Sequence, residues 1–192
     1  MPKKIVIILG HPDSASYCGH LAATYAEAAG ASGHSVRFFK LGDVTFDPIL
    51  RRGYGQSQEL ESGLKEIQEA ITWAEHMVFV FPVWWGSMPA LLKGFIDRVF
   101  LPGYAFKYRA NSPLTDRLLT GRSAQAIVTM DAPLWYDRWV YRSPWRYQLK
   151  RCILGFCGIK PVEFISFGTL RRAGDAQRRK WIGQIKDLAK AA

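Results

Sequence analysis

The sequence predicts an α/β fold, with a doubly wound, five-stranded parallel sheet in a single domain over residues 1–192. Three observations predict it: short apolar runs recur along the chain, helical patterns lie between them, and 192 residues suffice for one hydrophobic core. The predicted strands are 4–9, 35–41, 76–81, 124–130 and 162–167. In such a sheet, ligands bind in loops at the carboxyl ends of strands, here after the first, third and fourth.

The first strand is followed by a loop rich in hydroxyl groups, residues 10–18, and then by an alanine-rich helix. Backbone N–H groups at that helix start, together with His11, Ser14 and Ser16, can hold a phosphate or pyrophosphate. The alternative is that Ser14 or Ser16 is only an N-cap, which any helix start can have. The loop has neither the glycine pattern of a dinucleotide site nor a P-loop, which disfavours nucleotide hydrolysis.

The helix predicted between the second and third strands has an apolar face and an acidic face. Its apolar face consists of Leu60, Leu64, Ile67 and Ile71. The glutamates expected to face water are Glu59, Glu61, Glu66 and Glu69. A final helix is predicted to bury Trp181, Ile185 and Leu188.

Residues 77–100, MVFVFPVWWGSMPALLKGFIDRVF, predict a buried strand, a sharp turn and an amphipathic helix in succession. Pro82 is expected to stop the strand because proline has no N–H for the ladder. Ser87 is expected to cap the helix and Pro89 to occupy its first turn. The apolar positions with helical spacing are Leu91, Leu92, Phe95, Ile96, Val99 and Phe100.

The turn at residues 83–86 suits a planar aromatic ligand. Backbone amides from Val83 to Gly86 can face the edge of a flavin while an indole lies along its plane. The alternative is that both tryptophans pack in the core or at an interface. Because adjacent side chains on a turn diverge, only one of Trp84 and Trp85 is expected to touch the ligand.

The loop that begins at Thr129 leaves the fourth strand at the same edge of the predicted sheet. Within it, Asp131 either contacts a ligand or is simply a turn residue, and both interpretations stay open. The segment that follows, residues 135–145, is unusually aromatic and basic, which predicts a lid over the site. Its Arg138, Arg142 and the adjoining Arg146 either favour a phosphorylated ligand or belong to a solvated loop.

Composition narrows the class of protein. The cysteines, Cys18, Cys152 and Cys157, are scattered and show no zinc-ligand spacing with the four histidines, so we expect no disulfide scaffold and no metal. Cys152 and Cys157 are expected to be small core residues. The chain starts with a predicted strand instead of the apolar core of a signal peptide. Its longest uncharged run is interrupted by prolines and a glycine, which disfavours a membrane span. A cytoplasmic protein is therefore expected.

Positive charge is concentrated in the second half of the chain. Residues 1–97 hold 8 Lys and Arg against 10 Asp and Glu, whereas residues 98–192 hold 18 against 6. Such a surface can attract nucleic acid, an anionic membrane or a phosphorylated small molecule, and composition alone does not rank them.

Taken together, these motifs resemble the flavodoxin-like NAD(P)H:quinone oxidoreductase family, which includes the DT-diaphorase type and the ancillary quinone reductases of bacterial potassium-efflux systems. The segments that carry the resemblance are HPDSASYC, FPVWWGSMPALLKGFIDRVF, VFLPGYAFKY, CILGFCG and FISFGTL. They extend from about residue 4 to residue 188, and the central block is the most specific of them.

The resemblance implies a flavin cofactor, with FAD favoured over FMN, and NAD(P)H as co-substrate. The first loop would hold the flavin phosphates at His11, Ser16, Tyr17 and Cys18, and Ser14 is added as a candidate from its hydroxyl group alone. The central turn would hold the isoalloxazine at Pro82, Val83, Trp84, Trp85 and Gly86. In the third loop only Thr129 matches the family pattern, and Asp131 is a candidate from its position in the loop. The implied reaction is ping-pong hydride transfer from NAD(P)H through the flavin to a quinone or a related acceptor.

The resemblance also implies a homodimer whose partner subunit completes the acceptor site through Phe106 and Tyr108, although these residues can equally be ordinary interface packing. In the family a tyrosine and a histidine follow the third loop and handle protons. Here Tyr136 stands near the expected tyrosine, no histidine follows it, and Arg142 lies close to the vacant place. Tyr136 and Trp85 are therefore the predicted catalytic residues, with Arg142 beside them.

Two other functions remain as alternatives. One is a flavodoxin-type electron carrier that docks to protein partners, although such carriers are usually acidic and this chain is basic. The other is a regulatory or nucleic-acid-binding subunit that uses the basic residues around the last helix; nucleic acid is not expected, because charge runs are usually solvated. A membrane-protein partner is left open.

Overall fold

The computed structural model describes residues 1–56 and 58–192. Its strands are β1 Lys4–Leu9, β2 Ser35–Lys40, β3 His76–Pro82, β4 Phe106–Tyr108, β5 Thr115–Arg117, β6 Ser123–Thr129 and β7 Val162–Phe167. Five of them form a parallel sheet in the order β2-β1-β3-β6-β7, which confirms the predicted fold class. The other two, β4 and β5, form an antiparallel hairpin that the sequence analysis did not predict.

The α-helices are α1 Tyr17–Ala31, α2 Ser62–Trp73, α3 Ala90–Val99, α4 Leu134–Trp139, α5 Pro144–Tyr147, α6 Gly155–Cys157 and α7 Asp175–Lys190. A π-helical segment, Gln148–Leu154, joins α5 to α6, and short 3₁₀ turns span Leu41–Asp43 and Leu170–Arg172. No helix in the described part of the chain combines the length and the apolar composition that crossing a bilayer requires.

Two apolar layers enclose the sheet. On one face, Leu21 and Tyr25 of α1 pack with Trp181 and Ile185 of α7. On the other face, α2, α3 and the segment 145–159 pack against the opposite side chains of the same strands. All seven residues of β3 are buried, as expected for a central strand covered on both faces. Because β1 and β7 lead into α1 and α7, both of these helices start at the carboxyl edge of the sheet.

The start of α3 differs from its prediction. Pro89 is the N-cap rather than a residue of the first turn, and no side chain caps the helix. The Ser87 hydroxyl instead donates to Oε1 of Gln148 at 3.2 Å, which ties the turn after β3 to the π-helical segment. Leu91 is only partly buried, whereas the other five apolar positions predicted for this helix are buried.

A buried ion pair corrects the prediction for Glu61. Arg98 is completely buried, and its Nη2 lies 3.0 Å from Oε2 of Glu61. The guanidinium also donates to the carbonyls of Asp47 and Glu59. Glu61 therefore compensates a buried cation at the base of α2 instead of facing water, and sequence periodicity did not reveal it because the two residues lie 37 positions apart.

The two late cysteines have different environments. Cys157 is buried in the core, as predicted, and burial raises the pKa of its thiol to about 12. Cys152 is exposed, so the prediction that it is a core residue is wrong. The physical reason is the π-helical segment, whose wider turn changes which positions face the core.

Candidate active site

Backbone hydrogen bonds fix three loops together at the carboxyl edge of the sheet. The Gly10 amide donates to the Val80 carbonyl at 2.8 Å, and the Val83 amide donates to the Thr129 carbonyl at 2.8 Å. Pro82 ends β3 directly opposite Thr129, the last residue of β6. The loops after β1, β3 and β6 therefore start side by side, as the fold class predicts.

The first loop is folded tightly onto the start of α1. Ser16 is the N-cap, and its Oγ accepts the Gly19 amide at 3.2 Å, so this hydroxyl caps the helix. His11 Nδ1 accepts the Asp13 amide at 2.9 Å. The Ser14 carbonyl lies so close to Gly19 that a Cβ there would stand 2.0 Å from it, so only glycine fits.

This cap leaves the first two helical amides of α1 without acceptors in the described residues. They belong to Tyr17 and Cys18, and they point out of a helix start that carries positive potential. The side chains of these residues lie elsewhere. The Tyr17 hydroxyl donates to the Arg178 carbonyl at 3.3 Å, between α1 and α7, and Cys18 is buried beneath the loop. Both can therefore serve a ligand only through their backbone.

Cys18 also connects the first and third loops. Its Sγ lies 3.1 Å from Oγ1 of Thr129, and both side chains are buried. Burial raises the pKa of the Cys18 thiol to about 11, so it is protonated and uncharged at neutral pH. The hydroxyl of Thr129, a predicted cofactor residue, therefore makes this internal contact.

The turn after β3 is closed by a reciprocal pair of backbone bonds between Trp84 and Ser87, at 2.9 and 3.0 Å. Its two central residues, Trp85 and Gly86, have φ angles of 52° and 70°. Positive φ at both positions is the geometry of a tight hairpin turn, which glycine adopts freely and tryptophan does not.

Only two of the four amides expected to face a ligand are free. Those of Val83 and Trp84 donate to the Thr129 and Ser87 carbonyls, which corrects the sequence-based expectation for them. The amides of Trp85 and Gly86 have no protein acceptor within the described residues. They therefore remain as donors toward an oxygen or nitrogen atom of a ligand.

The two tryptophans diverge, as predicted. The Trp84 ring meets the His11 ring edge-on, with centroids 5.4 Å apart, and so joins the turn to the first loop. Trp85 is fully exposed on the other side of the turn and lines a cavity. Of the two indoles, only that of Trp85 lines this cavity.

The third loop is tied to the loop after β7. Asp131 Oδ2 lies 2.9 Å from Nε of Arg171, and its Oδ1 accepts the Arg171 amide at 3.2 Å. Of the two interpretations left open for Asp131, a structural role is observed, although the residue also lines the cavity.

Residues 133–145, here called the strap, follow the third loop and cross the cavity. Asp137 is the buried residue that holds the strap in place. Its Oδ2 accepts the Ser143 hydroxyl at 2.6 Å, and its carboxylate accepts the indole N–H of Trp145 at 3.2 and 3.3 Å. Its carbonyl accepts the Ser143 amide at 2.9 Å.

These bonds maintain an unusual backbone. Arg142 and Ser143 are consecutive residues with positive φ, 60° and 44°, a conformation that costs non-glycine residues about 1–2 kcal/mol each. The Asp137 contacts to Ser143 itself and to Trp145 stabilise it. The result is a bend that turns Tyr141 and Pro144 toward the cavity.

The cavity between the turn and the strap has a volume of about 490 Å³. This lies within the range of small-molecule sites, roughly 300–1,000 Å³. Its walls come from the turn, the third loop and the strap, and consist of Val83, Trp85, Gly86, Met130, Asp131, Ala132, Asp137, Tyr141 and Pro144.

The strap places a different tyrosine at the cavity from the one predicted. Tyr141 lines it, whereas Tyr136 lies behind, with ring centroids 4.9 Å apart. The neighbouring Tyr136 phenol raises the pKa of Tyr141. The side chain of Arg142 is exposed and does not line the cavity, because the bend turns it to the outside.

Phe106 and Tyr108 lie at a second cavity, of about 380 Å³, formed by the hairpin, α3 and the π-helical segment. Phe106 is only 5% exposed, and its ring packs against that of Phe156 with centroids 4.9 Å apart. Tyr108 is 59% exposed. The role predicted for both residues in a partner's site stays a prediction.

Sequence reasoning missed Asp137 and Tyr141. Asp137 sits among exposed charged and aromatic residues, and nothing in its spacing indicates burial. The donors that follow it in the sequence could have indicated its role. A serine six residues later and a tryptophan eight residues later can both donate to its carboxylate.

Comparison with known proteins gives a family and a set of relatives. The model of a family described as having a flavodoxin-like fold matches residues 3–188. An uncharacterized NAD(P)H oxidoreductase of Haemophilus influenzae is 29% identical over 92% of this chain and 89% of its own length. The rat ribosyldihydronicotinamide dehydrogenase [quinone] is 26% identical over 98% of this chain and 93% of its own length. An FMN-dependent NADH:quinone oxidoreductase of Clostridium perfringens is 39% identical over 50% of this chain and 46% of its own length.

Solved structures show the same architecture. Smu.1420 from Streptococcus mutans superposes with a TM-score of 0.78 at 28% identity, covering 98% of this chain and 99% of its own. An FMN-dependent NADH-azoreductase from Bacillus anthracis, solved in complex with FMN, superposes with a TM-score of 0.77 at 18% identity, covering 100% and 99%. The second likeness concerns the fold alone.

Proposed function

The chain belongs to the family described as having a flavodoxin-like fold, and from this premise we propose that it is a flavin-dependent NAD(P)H:quinone oxidoreductase. The observation that carries the proposal is the cavity between the Trp85 turn and the strap, which offers aromatic walls and free backbone donors at one edge of the sheet. The names of the H. influenzae, rat and C. perfringens relatives support the same activity.

The residues present fit a flavin. The free amides of Tyr17 and Cys18, at the start of a 15-residue helix, suit a phosphate. The free amides of Trp85 and Gly86 suit the polar edge of the ring, and the Trp85 indole suits its plane. Gly86 has open space where a side chain would project, since a Cβ at that position would meet only Cγ of Pro144, at 3.6 Å. A ring can therefore approach the backbone there.

When bound, a flavin supplies the capacity to accept two electrons from NAD(P)H and return them to a quinone. The chain's own residues supply the setting for that exchange. The Trp85 and Gly86 amides would stabilise negative charge on the polar edge of the ring, because both are free of protein acceptors and both residues line the cavity. Tyr141, whose ring packs edge-on against Tyr136, is the phenol that would donate a hydrogen bond to an acceptor in the cavity.

The choice between FMN and FAD concerns only the part of the cofactor beyond the first phosphate. Both flavins share the ring, the ribityl chain and that phosphate, which are the groups that the free amides suit. The family resemblance favours FAD, whereas the C. perfringens relative is named as FMN-dependent. The mass of the cofactor released on denaturation decides between them.

A homodimer is the second part of the proposal. Exposed apolar side chains line the second cavity, among them Tyr54, Tyr108 and Phe156. Such a surface is typical of an interface between copies of a chain. Light scattering after gel filtration is expected to give twice the chain mass of 21.7 kDa, and a value equal to it would contradict the dimer.

Steady-state kinetics test the proposed reaction. With NADPH and menadione in the absence of any protein partner, we expect saturable turnover with parallel double-reciprocal lines. Trp85→Ala and Tyr141→Phe should each reduce kcat/KM for menadione by about tenfold or more, which corresponds to roughly 1.4 kcal/mol of transition-state stabilisation.

The matched control is Tyr147→Phe, because Tyr147 is also exposed but does not line the cavity. Its kinetics are expected to equal those of the unmodified protein. A protein that does not oxidise NADPH with menadione alone, but does so when a protein partner is added, would instead be an electron carrier. Unchanged kinetics in both cavity variants would place the reaction elsewhere.

A further inference from the structure

The outer side of the strap is an exposed patch that the cavity does not use. We define the rim patch as Trp135, Arg138, Trp139, Val140 and Arg142. Trp135 is 62% and Trp139 73% exposed, and Val140 is more than half exposed. Large apolar side chains of this kind, grouped together rather than scattered, indicate a surface that contacts something.

The arginines of the rim patch lack the partners that hold six other arginines of the described chain. Arg51, Arg98, Arg109 and Arg171 each pair with a carboxylate. Arg122 and Arg178 donate to backbone carbonyls. Within residues 1–56 and 58–192, the side chains of Arg138 and Arg142 have neither kind of partner.

The patch therefore presents uncompensated positive charge beside exposed indoles. The Arg138 guanidinium lies 5.6 Å from the centre of the Trp139 ring, so the two groups share one surface. Indoles favour the boundary between lipid headgroups and acyl chains, and guanidinium groups bind phosphate oxygens there. We propose that the rim patch docks on an anionic phospholipid surface.

A second copy of this chain suits the patch less well. In a twofold contact the same patch would face itself and bring the arginines of one copy against those of the other. The carboxylate of the strap, Asp137, is buried and already accepts bonds from Ser143 and Trp145, so it offers no compensation. An anionic phospholipid surface supplies the missing negative charge directly.

The position of the patch gives the docking a function, and this step rests on the proposed function. The strap forms the cavity wall on its inner side, through Tyr141 and Pro144, and the rim patch on its outer side. Docking would bring the cavity mouth to the headgroup region, where long-chain quinones dissolved in the bilayer can reach it. The acceptor class is then a lipid-soluble quinone.

Vesicle sedimentation tests the docking. The purified protein should bind vesicles made of equal parts phosphatidylglycerol and phosphatidylcholine, and bind phosphatidylcholine vesicles at least about tenfold more weakly. Raising the salt from low to high should also weaken binding to the anionic vesicles about tenfold, because the charges are exposed. Brominated lipids should quench tryptophan fluorescence.

Two variants assign the binding to the patch. Trp135→Ser combined with Trp139→Ser should weaken vesicle binding about tenfold and remove most of the quenching. Arg138→Gln should weaken binding roughly fivefold, the share of one basic residue near an anionic surface. The control, Ile49→Ser, replaces an exposed apolar residue that lies outside the strap and does not line the second cavity, and it should bind normally.

Three results would overturn the inference. The first is that the protein does not bind anionic vesicles at low salt. The second is that the double tryptophan variant binds them as well as the unmodified protein does. The third is that this variant loses the dimer mass but keeps its vesicle binding. Menadione turnover in solution without vesicles separates this inference from the proposed function. Intact vesicle binding with no such turnover would contradict the proposed reaction and leave the docking in place.

Discussion

The two edges of the sheet are built in opposite ways. At the amino edge, side chains close the structure: the Lys4 amide donates to Glu75 Oε2 at 2.9 Å, and His76 Nδ1 lies 2.7 Å from Ser123 Oγ. The carboxyl edge contains free amides, exposed aromatic rings and strained backbone. Four of the five described non-glycine residues with positive φ lie there: Trp85, Arg142, Ser143 and Thr169.

This difference shows where the chain tolerates strain. A closed edge contributes to folding and needs no unusual backbone. An edge that holds a ligand must leave donors unpaired and rings exposed, and the surrounding contacts must stabilise that arrangement. The comparison predicts that substitutions at the carboxyl edge change activity, together with a gain or a loss of stability. Substitutions at the amino edge are expected to change stability alone.

The largest expected effect is at Asp137. Asp137→Ala removes the acceptor of the buried Trp145 indole and of the half-buried Ser143 hydroxyl, and it releases the strained pair Arg142 and Ser143. We expect the free energy of unfolding to fall by about 4 kcal/mol, since each unpaired buried group costs roughly 1–3 kcal/mol. The KM for menadione should also rise, because Tyr141 loses its position. Urea denaturation and steady-state kinetics measure the two effects.

Asp131→Ala is the matched control for that substitution. Asp131 also lines the cavity, but its ion pair with Arg171 is exposed and is expected to contribute no more than about 1 kcal/mol. A loss of less than about 1 kcal/mol in Asp137→Ala would mean that the strap does not depend on this carboxylate.

The next effect belongs to the amino edge and depends on pH. Burial lowers the pKa of His76 to about 4, from an ordinary value of 6.5. The unfolded chain therefore binds a proton between pH 6.5 and 4 that the folded chain does not, so stability falls as the pH is lowered through this window. The shift corresponds to about 3 kcal/mol.

Urea denaturation from pH 7 to pH 4 measures this dependence. His76→Gln should flatten the pH profile of stability and leave menadione kinetics at pH 7 unchanged. His20→Gln, at an exposed histidine, should keep the slope. A profile that His76→Gln does not flatten would show that other groups control acid stability.

The smallest effect is at Trp85, and there stability and activity should move in opposite directions. Trp85→Asn places a residue that tolerates positive φ at a fully exposed position, so the free energy of unfolding should rise by about 1 kcal/mol. Turnover should fall because the indole is lost. Trp85→Leu should lose turnover without the gain in stability, since leucine keeps the strain.

Thermal denaturation and kinetics of these two variants together test whether strain at the turn serves the site. Equal stability in both would show that the positive φ of Trp85 costs nothing.

The sequence predicts the sheet and the turn because both depend on local patterns. Buried parallel strands are continuous apolar runs, and a turn such as Trp84 to Ser87 closes through its own backbone. The same holds for the cap of α1 by Ser16, which accepts an amide three residues away. Resemblance to a known family adds the cofactor class, which no single pattern identifies.

The rest depends on contacts between distant residues. Arg98 and Glu61 are 37 positions apart, so neither spacing nor composition shows that one neutralises the other. Tyr141 rather than Tyr136 lines the cavity because of the bend at Arg142 and Ser143. That bend is stabilised by side-chain bonds to Asp137, which become visible only in three dimensions. The wide turn of the π-helical segment similarly explains why Cys152 is exposed.

The central claim is that the carboxyl edge holds a flavin that exchanges electrons with NAD(P)H and a quinone. The most direct test is the absorption spectrum of the purified protein, taken without oxygen before and after addition of NADPH and then of menadione. The account predicts flavin bands that bleach with NADPH and return with menadione. A colourless protein that neither FMN nor FAD reconstitutes would contradict it.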